Sequence, residues 1–375
     1  MQSITEKLGA PPVFPSAQNP PSLRESTLAV TVSTPMAGGG VKAGEVDMNR
    51  PIRIPSVKGH LRFWWRMMNR NSPDKDTRES EIWGSTDSPG KVYISITEQP
   101  GVKLRYSNND FEFGKDDPKK YALFSFLRNK TNPGKNIAQK NFSFTLNIQY
   151  PEKYHNDVRL AFSAWIYFGG IGSRTRRGCG SLSCSGDIMS LGEILNSAPY
   201  ITVWQKRADD SMSAWSYAVR KYMDYRQMKE GGKYGRSQWP EADSIRMITR
   251  KPIKNPARSP LPSFPRAALG MPVNFRFQGQ QKDIKVTPAI KDSSRMASPV
   301  ITKALCDNGI WYSAVIILPH ENIFDTPLEI DGIKYALQPM RGTIYKSTLP
   351  MQGKLDAISG FEEFIRGDFT KGGTR

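Results

Sequence analysis

The residues best suited to chemistry in this sequence are arginines set among glycines in one short segment, Phe168–Leu182. Glycine permits positive φ and lets backbone N–H groups approach a ligand closely, and guanidinium groups bind phosphate oxygens in pairs. No acidic residue occurs from Val158 to Gly186. The alternative is a flexible surface turn, but the pattern favours a loop that binds a sugar-phosphate chain. Its residues are Arg174, Arg176 and Arg177, with Gly169, Gly170, Gly172, Gly178 and Gly180.

A second basic motif, Ser56–Arg70, has the spacing of an amphipathic helix. Its apolar and cationic residues form two stripes, Leu61, Trp64, Trp65 and Met68 against Lys58, Arg62, Arg66 and Arg70. Cations four residues apart repel each other by about 0.2–0.5 kcal/mol per pair unless an anion lies between them. Ser56 is predicted to cap the helix, and Gly59 in its first turn gives a phosphate access to the backbone. The alternative is an ordinary helix with a solvated basic face.

Basic residues with apolar neighbours form a weaker third set, of a kind that suits nucleic-acid contact. Its members are Arg53 before the helix motif, Arg266 beside Pro265, Arg276 between Phe275 and Phe277, and Arg295 beside Met296. Of these, Arg53 and Arg295 join the predicted RNA-binding residues.

Other phosphate-binding and catalytic arrangements are missing from the sequence. A P-loop needs Gly-Lys followed by Ser or Thr, and a dinucleotide fold needs a strand before the loop, where a helix is predicted here. The three histidines are scattered and the three cysteines form no Cys-x-x-Cys pair, so we predict no metal, no cofactor and no catalytic residue. His60 lies near a helix start, which lowers its pKa. A structural or phosphate-contacting role is favoured over that of a general base.

The elements that must position these motifs follow from the periodicity of apolar residues. Alternation predicts strands over 27–33, 91–97, 142–150 and 180–185, and helical spacing predicts helices from Ser56 and over 157–168. The order is β-α-β-β-α-β, the ferredoxin-like plan of RNA-recognition motifs. The arginine loop follows the second helix of this plan. The segment around 98–140 is too long for a turn and is predicted to be an insertion.

The whole chain is predicted to be α+β, with two ferredoxin-like (RRM-like) domains. Residues 1–21 form a disordered leader, 22–200 the first domain and 201–375 a second, divergent domain. The second half shows helical spacing over 214–229 and 360–366, alternation over 273–277 and 311–318, and a Pro-rich loop over 251–272. These patterns leave open whether the second half repeats the topology of the first.

The charge balance indicates the chemical class of the binding partner. Lys and Arg total 53 against 35 Asp and Glu, a net charge of +18, which favours a polyanion such as nucleic acid. No apolar run is long enough to span a bilayer, so no membrane partner is predicted. Three cysteines without a pairing pattern suit reduced thiols in a cytoplasmic protein.

Three segments resemble the RAMP superfamily of CRISPR proteins, and within it a subunit of the Cmr, or type III-B, effector complex. They are P-S-V-K-G-H-L-R-F-W-W-R at 55–66, I-W-G-S-T at 82–86 and the loop F-G-G-I-G-S-R-T-R-R-G-C-G-S-L at 168–182. Shorter matches are W-P-E at 239–241, A-L-G-M-P at 268–272 and R-M-A-S-P at 295–299. The departures are Lys58, where arginine is more usual, and Trp83, where phenylalanine is common.

The resemblance implies two packed ferredoxin-like domains in a non-catalytic subunit of an antiviral ribonucleoprotein. It implies contact with CRISPR guide RNA or guide–target duplex, distal to the guide's 5′ tag, and with other Cmr subunits. Lys58, Arg62, Arg66, Arg174, Arg176 and Arg177 match the family's basic positions. Two alternatives are a metal-independent endoribonuclease that matures guide RNA, and a scaffold that contacts only proteins.

Overall fold

The computed structural model describes residues 22–97, 104–106, 113, 116–127, 134–232, 234–253, 255–277, 283–291, 293–335 and 350–372. The predicted leader lies outside these residues, as do parts of the predicted insertion. The strands are β1 (Leu23–Val32), β2 (Met36–Ala37), β3 (Tyr93–Thr97), β4 (Leu104–Tyr106), β5 (Asn136–Ala138), β6 (Phe142–Pro151), β7 (Leu182–Ser185), β8 (Thr202–Ala208), β9 (Val273–Phe275), β10 (Ile284–Pro288), β11 (Val300–Asp307), β12 (Ile310–Ile317), β13 (Leu328–Ile330), β14 (Ile333–Tyr335) and β15 (Thr370–Lys371). The helices are α1 (Ile54–Met68), α2 (Lys75–Trp83), α3 (Pro118–Leu123), α4 (His155–Phe168), α5 (Leu191–Ser197), α6 (Ser211–Arg226), α7 (Glu241–Ile248) and α8 (Ala357–Ile365).

The first sheet is antiparallel with strand order β3-β6-β1-β7. Along β1, Leu28, Val30 and Val32 are buried while the residues between them face outward, because successive side chains of a strand point to opposite faces. The described elements therefore include the predicted order β1-α1-β3-β6-α4-β7. Helix α2 and the short strands β2, β4 and β5 are additions that the periodicity did not indicate.

Helix α1 starts earlier than its sequence suggested. Arg53 occupies the N-cap without a side-chain cap, and Pro55 lies in the first turn, where its fixed φ suits a helix and its missing N–H costs nothing. The prediction that Ser56 caps the helix is therefore wrong, and Gly59 lies in the second turn. The predicted apolar stripe is buried, with Val57 added to it.

The second sheet, β11-β12-β8-β15, is also antiparallel. Its elements follow the order β8-α6-β11-β12-α8-β15, so both sheets place their second, third, first and fourth strands side by side. Its helices have strong N-caps, since the carboxylates of Asp210 and Asp356 accept hydrogen bonds from the first free N–H groups of α6 and α8. The topology that the sequence left open thus repeats that of the first half.

Helix α4 lies between the two sheets. Ten of its residues are buried, from Asp157 to Phe168, as expected of a helix covered on all sides. Ile301 and Leu305 of β11 share its core, whereas Val300 packs into the core beneath α8. Strand β11 is therefore buried on both faces of the second sheet, and the two halves share the core around α4.

Two small sheets complete the fold, β14-β13-β10-β9 and β2-β5-β4. The described part of the predicted insertion includes α3, whose Ala122 and Leu123 pack with Trp215 and Val219 of α6. This part is packed against the second half rather than projecting as an arm. No helix among the described residues is both long and apolar enough to cross a bilayer.

Candidate functional site

The arginine loop, residues 168–182, is folded into the protein rather than lying on its surface. Its ends are buried and its arginines are half-buried. The N–H of Gly180 donates to Pro35 O at 3.0 Å, that of Ile171 to Gly180 O at 2.9 Å, and that of Ser173 to Ala37 O at 2.5 Å. The alternative of a flexible surface turn therefore does not describe this loop.

The loop glycines are required by the loop's own packing. A Cβ at Gly180 would lie 2.0 Å from Ile171 O, and the residue has a φ of +63°. A Cβ at each of the other four would lie within 3.0 Å of a protein atom. Neighbouring parts of the protein thus occupy the space around these glycines, and the arginine side chains carry the chemistry of the loop.

Arg174 joins the loop to the insertion. Its Nε donates to Ala122 O at 2.8 Å and its Nη2 to Tyr121 O at 3.1 Å. Its guanidinium lies 4.8 Å from the ring centre of Phe124, a side chain that is 59% exposed. Burial lowers the pKa of Arg174, with a smaller contribution from the charge of Arg177.

Arg176 and Arg177 join the loop to the second half. Arg176 donates to Ser298 O, and Arg177 donates to Val300 O at 2.9 Å and to Tyr222 Oη at 2.6 Å. The guanidinium of Arg177 lies 3.9 Å from the centre of the Tyr222 ring. Burial, and then the charge of Arg177, lower the pKa of Arg176 to about 10, so the Arg176 guanidinium stays charged at neutral pH.

The cationic stripe of α1 already has an internal anion. Glu79 of α2, 5% exposed, accepts hydrogen bonds from both Arg62 and Arg66. Burial opposes the charge of this carboxylate, but the two arginines together lower its pKa. The repulsion expected along the stripe is thus relieved by a protein carboxylate. Arg66 remains more than half exposed.

The remaining cations near α1 differ in the contacts that they make within the protein. Arg53 Nη1 donates to Gly40 O at 3.2 Å, and the guanidinium of Arg70 lies 5.4 Å from the Tyr200 ring. Lys58 is half-exposed and has no ion pair within the described part of the chain. Lys58 and Arg66 are therefore the α1 cations most available to an external anion.

The two basic motifs meet at Phe63. This side chain is 37% exposed on α1, and the guanidinium of Arg176 lies 6.0 Å from its ring centre. Beneath them, Trp64 of α1 and Phe168 at the start of the loop pack at 5.8 Å. An exposed ring beside a guanidinium, flanked by Gly59 and Arg66 on the same helix, can stack a planar base next to a phosphate.

Two predicted residues lie apart from this meeting point. His60 stacks on Trp165 with ring centres 6.3 Å apart, and burial lowers its pKa. The cause is burial rather than the helix N-terminus that the sequence suggested. Arg295 is exposed ahead of β11, and among the described contacts its side chain touches no other predicted site residue. No cluster of three metal-ligating residues occurs among the described residues.

Lys303 of β11 supports the start of the loop from the second sheet. It is fully buried, and its Nζ donates to Ile166 O and Gly169 O, both at 2.8 Å. These carbonyls belong to the last turn of α4 and its cap, which lack partners within the helix. Burial lowers the pKa of Lys303 to about 7, and a neutral amine still has the two protons that these bonds require.

This buried amine predicts a pH dependence of stability. The pKa of Lys303 is 10.5 when the side chain is in water and about 7 in the folded protein, so between these values the unfolded chain binds more protons. Stability should therefore rise with pH in this window, by at most about 1.4 kcal/mol per pH unit, and the contribution should be lost as pH falls through 7. Urea unfolding at pH 7 and pH 8.5 measures the slope. The Lys303→Met variant should lack this rise in stability with pH. Equal slopes of stability against pH in the wild type and the variant would contradict the lowered pKa of Lys303.

Sequence reasoning missed Phe63, Glu79 and Lys303. Phe63 had a usable signal, because it is an aromatic residue that falls outside the apolar stripe of its own helix. Glu79 had none, since α2 is short and weakly amphipathic. Thr302 and Lys303 interrupt the otherwise apolar segment 300–305, whose other residues indicate a buried strand.

Comparisons with known proteins agree with this architecture. Residues 29–183 match the model of the RAMP superfamily. The chain is 24% identical over 260 residues to CRISPR system Cmr subunit Cmr1-1 of Pyrococcus furiosus, covering 62% of this chain and 73% of that protein.

Two solved structures are also similar. The crystal structure of apo Cmr1 from Pyrococcus furiosus has a TM-score of 0.52 at 17% identity, covering 80% of this chain and 88% of that chain. A chain in the cryo-EM structure of the Type III-B Cmr-beta bound to cognate target RNA has a TM-score of 0.46 at 11% identity. The match covers 91% of this chain and 100% of that chain. The first of these shows that the two chains share a fold. Residues 29–183 therefore match the RAMP superfamily, and the chain is similar to the Cmr1 subunit of Pyrococcus furiosus.

Proposed function

We propose that the chain is a non-catalytic RNA-binding subunit of a cytoplasmic type III-B CRISPR (Cmr) complex. It contacts guide RNA, or guide–target duplex, distal to the guide's 5′ tag, and docks on other Cmr subunits. The similarity to a Cmr1 subunit and the net charge of +18 support this proposal.

The observation that carries the proposal is the meeting of the two basic motifs at Phe63. A base stacked on this ring would place its phosphates near Arg176 on one side and near Arg66, three residues along α1, on the other. The cationic stripe continues from Arg66 to Lys58. Stacking tolerates any base, and guanidinium groups bind phosphates. Such a site suits RNA whose sequence is set by the guide rather than by the protein.

The open face of the first sheet does not suit RNA. Many RNA-recognition motifs stack bases on two or three aromatic residues of their sheet. In the described part of the sheet this face has one exposed aromatic ring, Tyr93 on the edge strand β3, and carries mainly hydroxyl and amide groups. These groups form hydrogen bonds with one another across the strands. Thr27 Oγ1 donates to Asn147 Oδ1 at 3.0 Å, and Asn147 Nδ2 donates to Thr97 Oγ1 at 3.0 Å. Among its described residues this face has no lysine or arginine. The RNA path is therefore assigned to the side of α1 and the arginine loop.

Both halves are proposed to be ferredoxin-like domains, spanning 22–200 and 201–375. Their sheets share one strand order, and each has a helix after its first strand and another before its fourth. In this proposal the arginine loop follows the second helix of the first domain and contacts the second domain through Arg176 and Arg177.

Fluorescence anisotropy with single-stranded RNA across a salt series tests the function. Wild-type affinity should fall steeply with salt, and Lys58→Gln should reduce the slope of log K against log salt by about 0.7, the value for one phosphate contact. Lys206→Gln, the same charge change on β8, is the matched control and should leave the slope unchanged. Equal slopes for both variants would remove Lys58 from the path. Binding to Cmr partners without binding to RNA would favour the scaffold alternative.

The same RNA, incubated with the protein in EDTA, separates this function from nuclease activity. The RNA should remain intact, because His60 packs on Trp165 within the fold. Specific cleavage that is lost in His60→Ala would support the maturation enzyme instead.

A further inference from the structure

A second group of arginine and phenylalanine side chains lies in the second half, at β9 and the residues after it. The rings of Phe275 and Phe277 are 6.4 Å apart and within 17° of parallel. The guanidinium of Arg266 lies 5.2 Å from the Phe275 ring, and that of Arg246 lies 4.7 Å from the Phe277 ring. All four side chains are half-buried. These four residues are called the β9 surface.

The β9 surface is held in place before any ligand arrives. Arg266 Nη1 donates to Arg226 O at 3.3 Å, and Arg246 pairs with Asp243 at 3.5 Å while its side chain stays 34% exposed. The Nε of Arg266 is buried and has no hydrogen-bond partner among the described residues, since the carboxylate of Glu241 lies 3.8 Å away. The buried carboxylate of Glu241 thus balances the charge of Arg266, whose guanidinium lies beside the Phe275 ring.

A continuous line of contacts joins the β9 surface to the arginine loop. Arg176 donates to Ser298 O, and a Cβ at Gly270 would lie 3.1 Å from Ser298 N. Arg226 Nη2 donates to Gly270 O at 3.2 Å, and Arg266 donates to Arg226 O. These contacts place the β9 surface beside the second-half residues that the arginine loop contacts.

We infer that the β9 surface binds bases of single-stranded RNA that continues beyond the arginine loop. The inference rests on the proposed function and extends its path into the second half. Bases stack on aromatic rings and on guanidinium planes, and this surface presents both, with its two rings nearly parallel. An acidic peptide would be recognised by charge alone and would have no use for two parallel rings.

The test measures RNA affinity against length. Oligouridylates of increasing length are titrated into wild-type protein and into the double variant Arg246→Gln/Phe277→Leu, which removes a guanidinium plane and a ring but keeps apolar bulk. Short RNA should bind both proteins equally, since it occupies only the Phe63 site. The double variant should bind long RNA about tenfold more weakly than the wild type, as expected from the loss of one or two stacking contacts. Arg276→Gln is the matched control, because Arg276 lies between the two rings in sequence but is 77% exposed and paired with Asp283.

Photocrosslinking of wild-type protein to 4-thiouridine RNA provides evidence that no folding defect can mimic. Crosslinks mapped by mass spectrometry should include Phe275 or Phe277 for long RNA and not for short RNA. Equal binding of long RNA by the double variant and the control, with no crosslinks at these rings, would overturn this inference alone. Failure of the wild type to bind RNA of any length would overturn the proposed function and this inference with it. Binding of an oligoglutamate peptide that is lost in the double variant, without RNA crosslinks, would assign the surface to a protein partner and also overturn it.

Discussion

Gly180→Ala is expected to destabilise the protein by about 2–5 kcal/mol, which combines left-handed backbone strain with a steric clash. The residue has a φ of +63°, and its Cβ would lie 2.0 Å from Ile171 O. The clash is with backbone, which cannot rotate away as a flexible side chain can. The Gly180 N–H bond to Pro35 O and the Ile171 N–H bond to Gly180 O hold both sides of the loop in place. Urea unfolding followed by circular dichroism measures the loss.

Gly59→Ala is the matched control, because Gly59 lies within α1 and nothing is within 4 Å of its Cβ position. Alanine is preferred over glycine inside a helix, so this change should stabilise the protein by about 0.5–1 kcal/mol. A similar effect of the two substitutions would show that the loop tolerates a side chain. The packing assigned to Gly180 would then be incorrect.

Arg177→Ala is expected to cost about 2–4 kcal/mol, because it removes charged hydrogen bonds and leaves buried acceptors unpaired. The lost bonds run to Val300 O at 2.9 Å, to Tyr222 Oη at 2.6 Å and to Arg176 O at 2.7 Å. Tyr222 also loses a cation that helps to lower its pKa, although Arg226 still donates to its hydroxyl at 3.0 Å. The loop and the second half should separate more easily, and the denaturation midpoint measures this.

Arg295→Ala removes the same charge from an exposed position and should change stability by less than about 0.5 kcal/mol. Because net charge changes equally, a difference between the two variants reports contacts rather than charge. Equal stability of the two would mean that Arg177 contributes no more than a surface cation. Any RNA-binding defect of Arg177→Ala must be compared at matched folded fractions, since this arginine also holds the loop in place.

The sequence predicted the elements that carry a strong local period. Helix α1 has an apolar stripe from Leu61 to Met68, and β6 alternates from Phe142 to Tyr150, so both were found to within a few residues. The loop was found from composition alone. Its arginines were assigned entirely to a ligand, whereas the structure also bonds them to carbonyls of the insertion and of the second half. Composition shows that guanidinium groups are present but not which acceptors lie nearby.

Two strands of the second sheet, β8 and β11, were missed because their sequences do not alternate regularly. Strand β11 is buried on both faces, so it lacks alternation, and Lys303 in its middle resembles a surface residue. Strand β8 combines Trp204 with the exposed Lys206 and Arg207 and has no regular period. Both depend on long-range packing against α4 and α6, which no local window of sequence contains.

The placement of α4 between the two sheets has a consequence for how the proposed RNA binding depends on RNA length. A helix that both halves need for their cores leaves no independent hinge, so the chain should unfold in one transition and move as one body. The separation between Phe63 and the β9 surface is then fixed by the backbone rather than by closure around a ligand. An RNA strand that is too short to reach both Phe63 and the β9 surface cannot draw these two sites together. In the proposed function, RNA length rather than domain closure therefore decides whether one RNA strand occupies both the Phe63 site and the β9 surface.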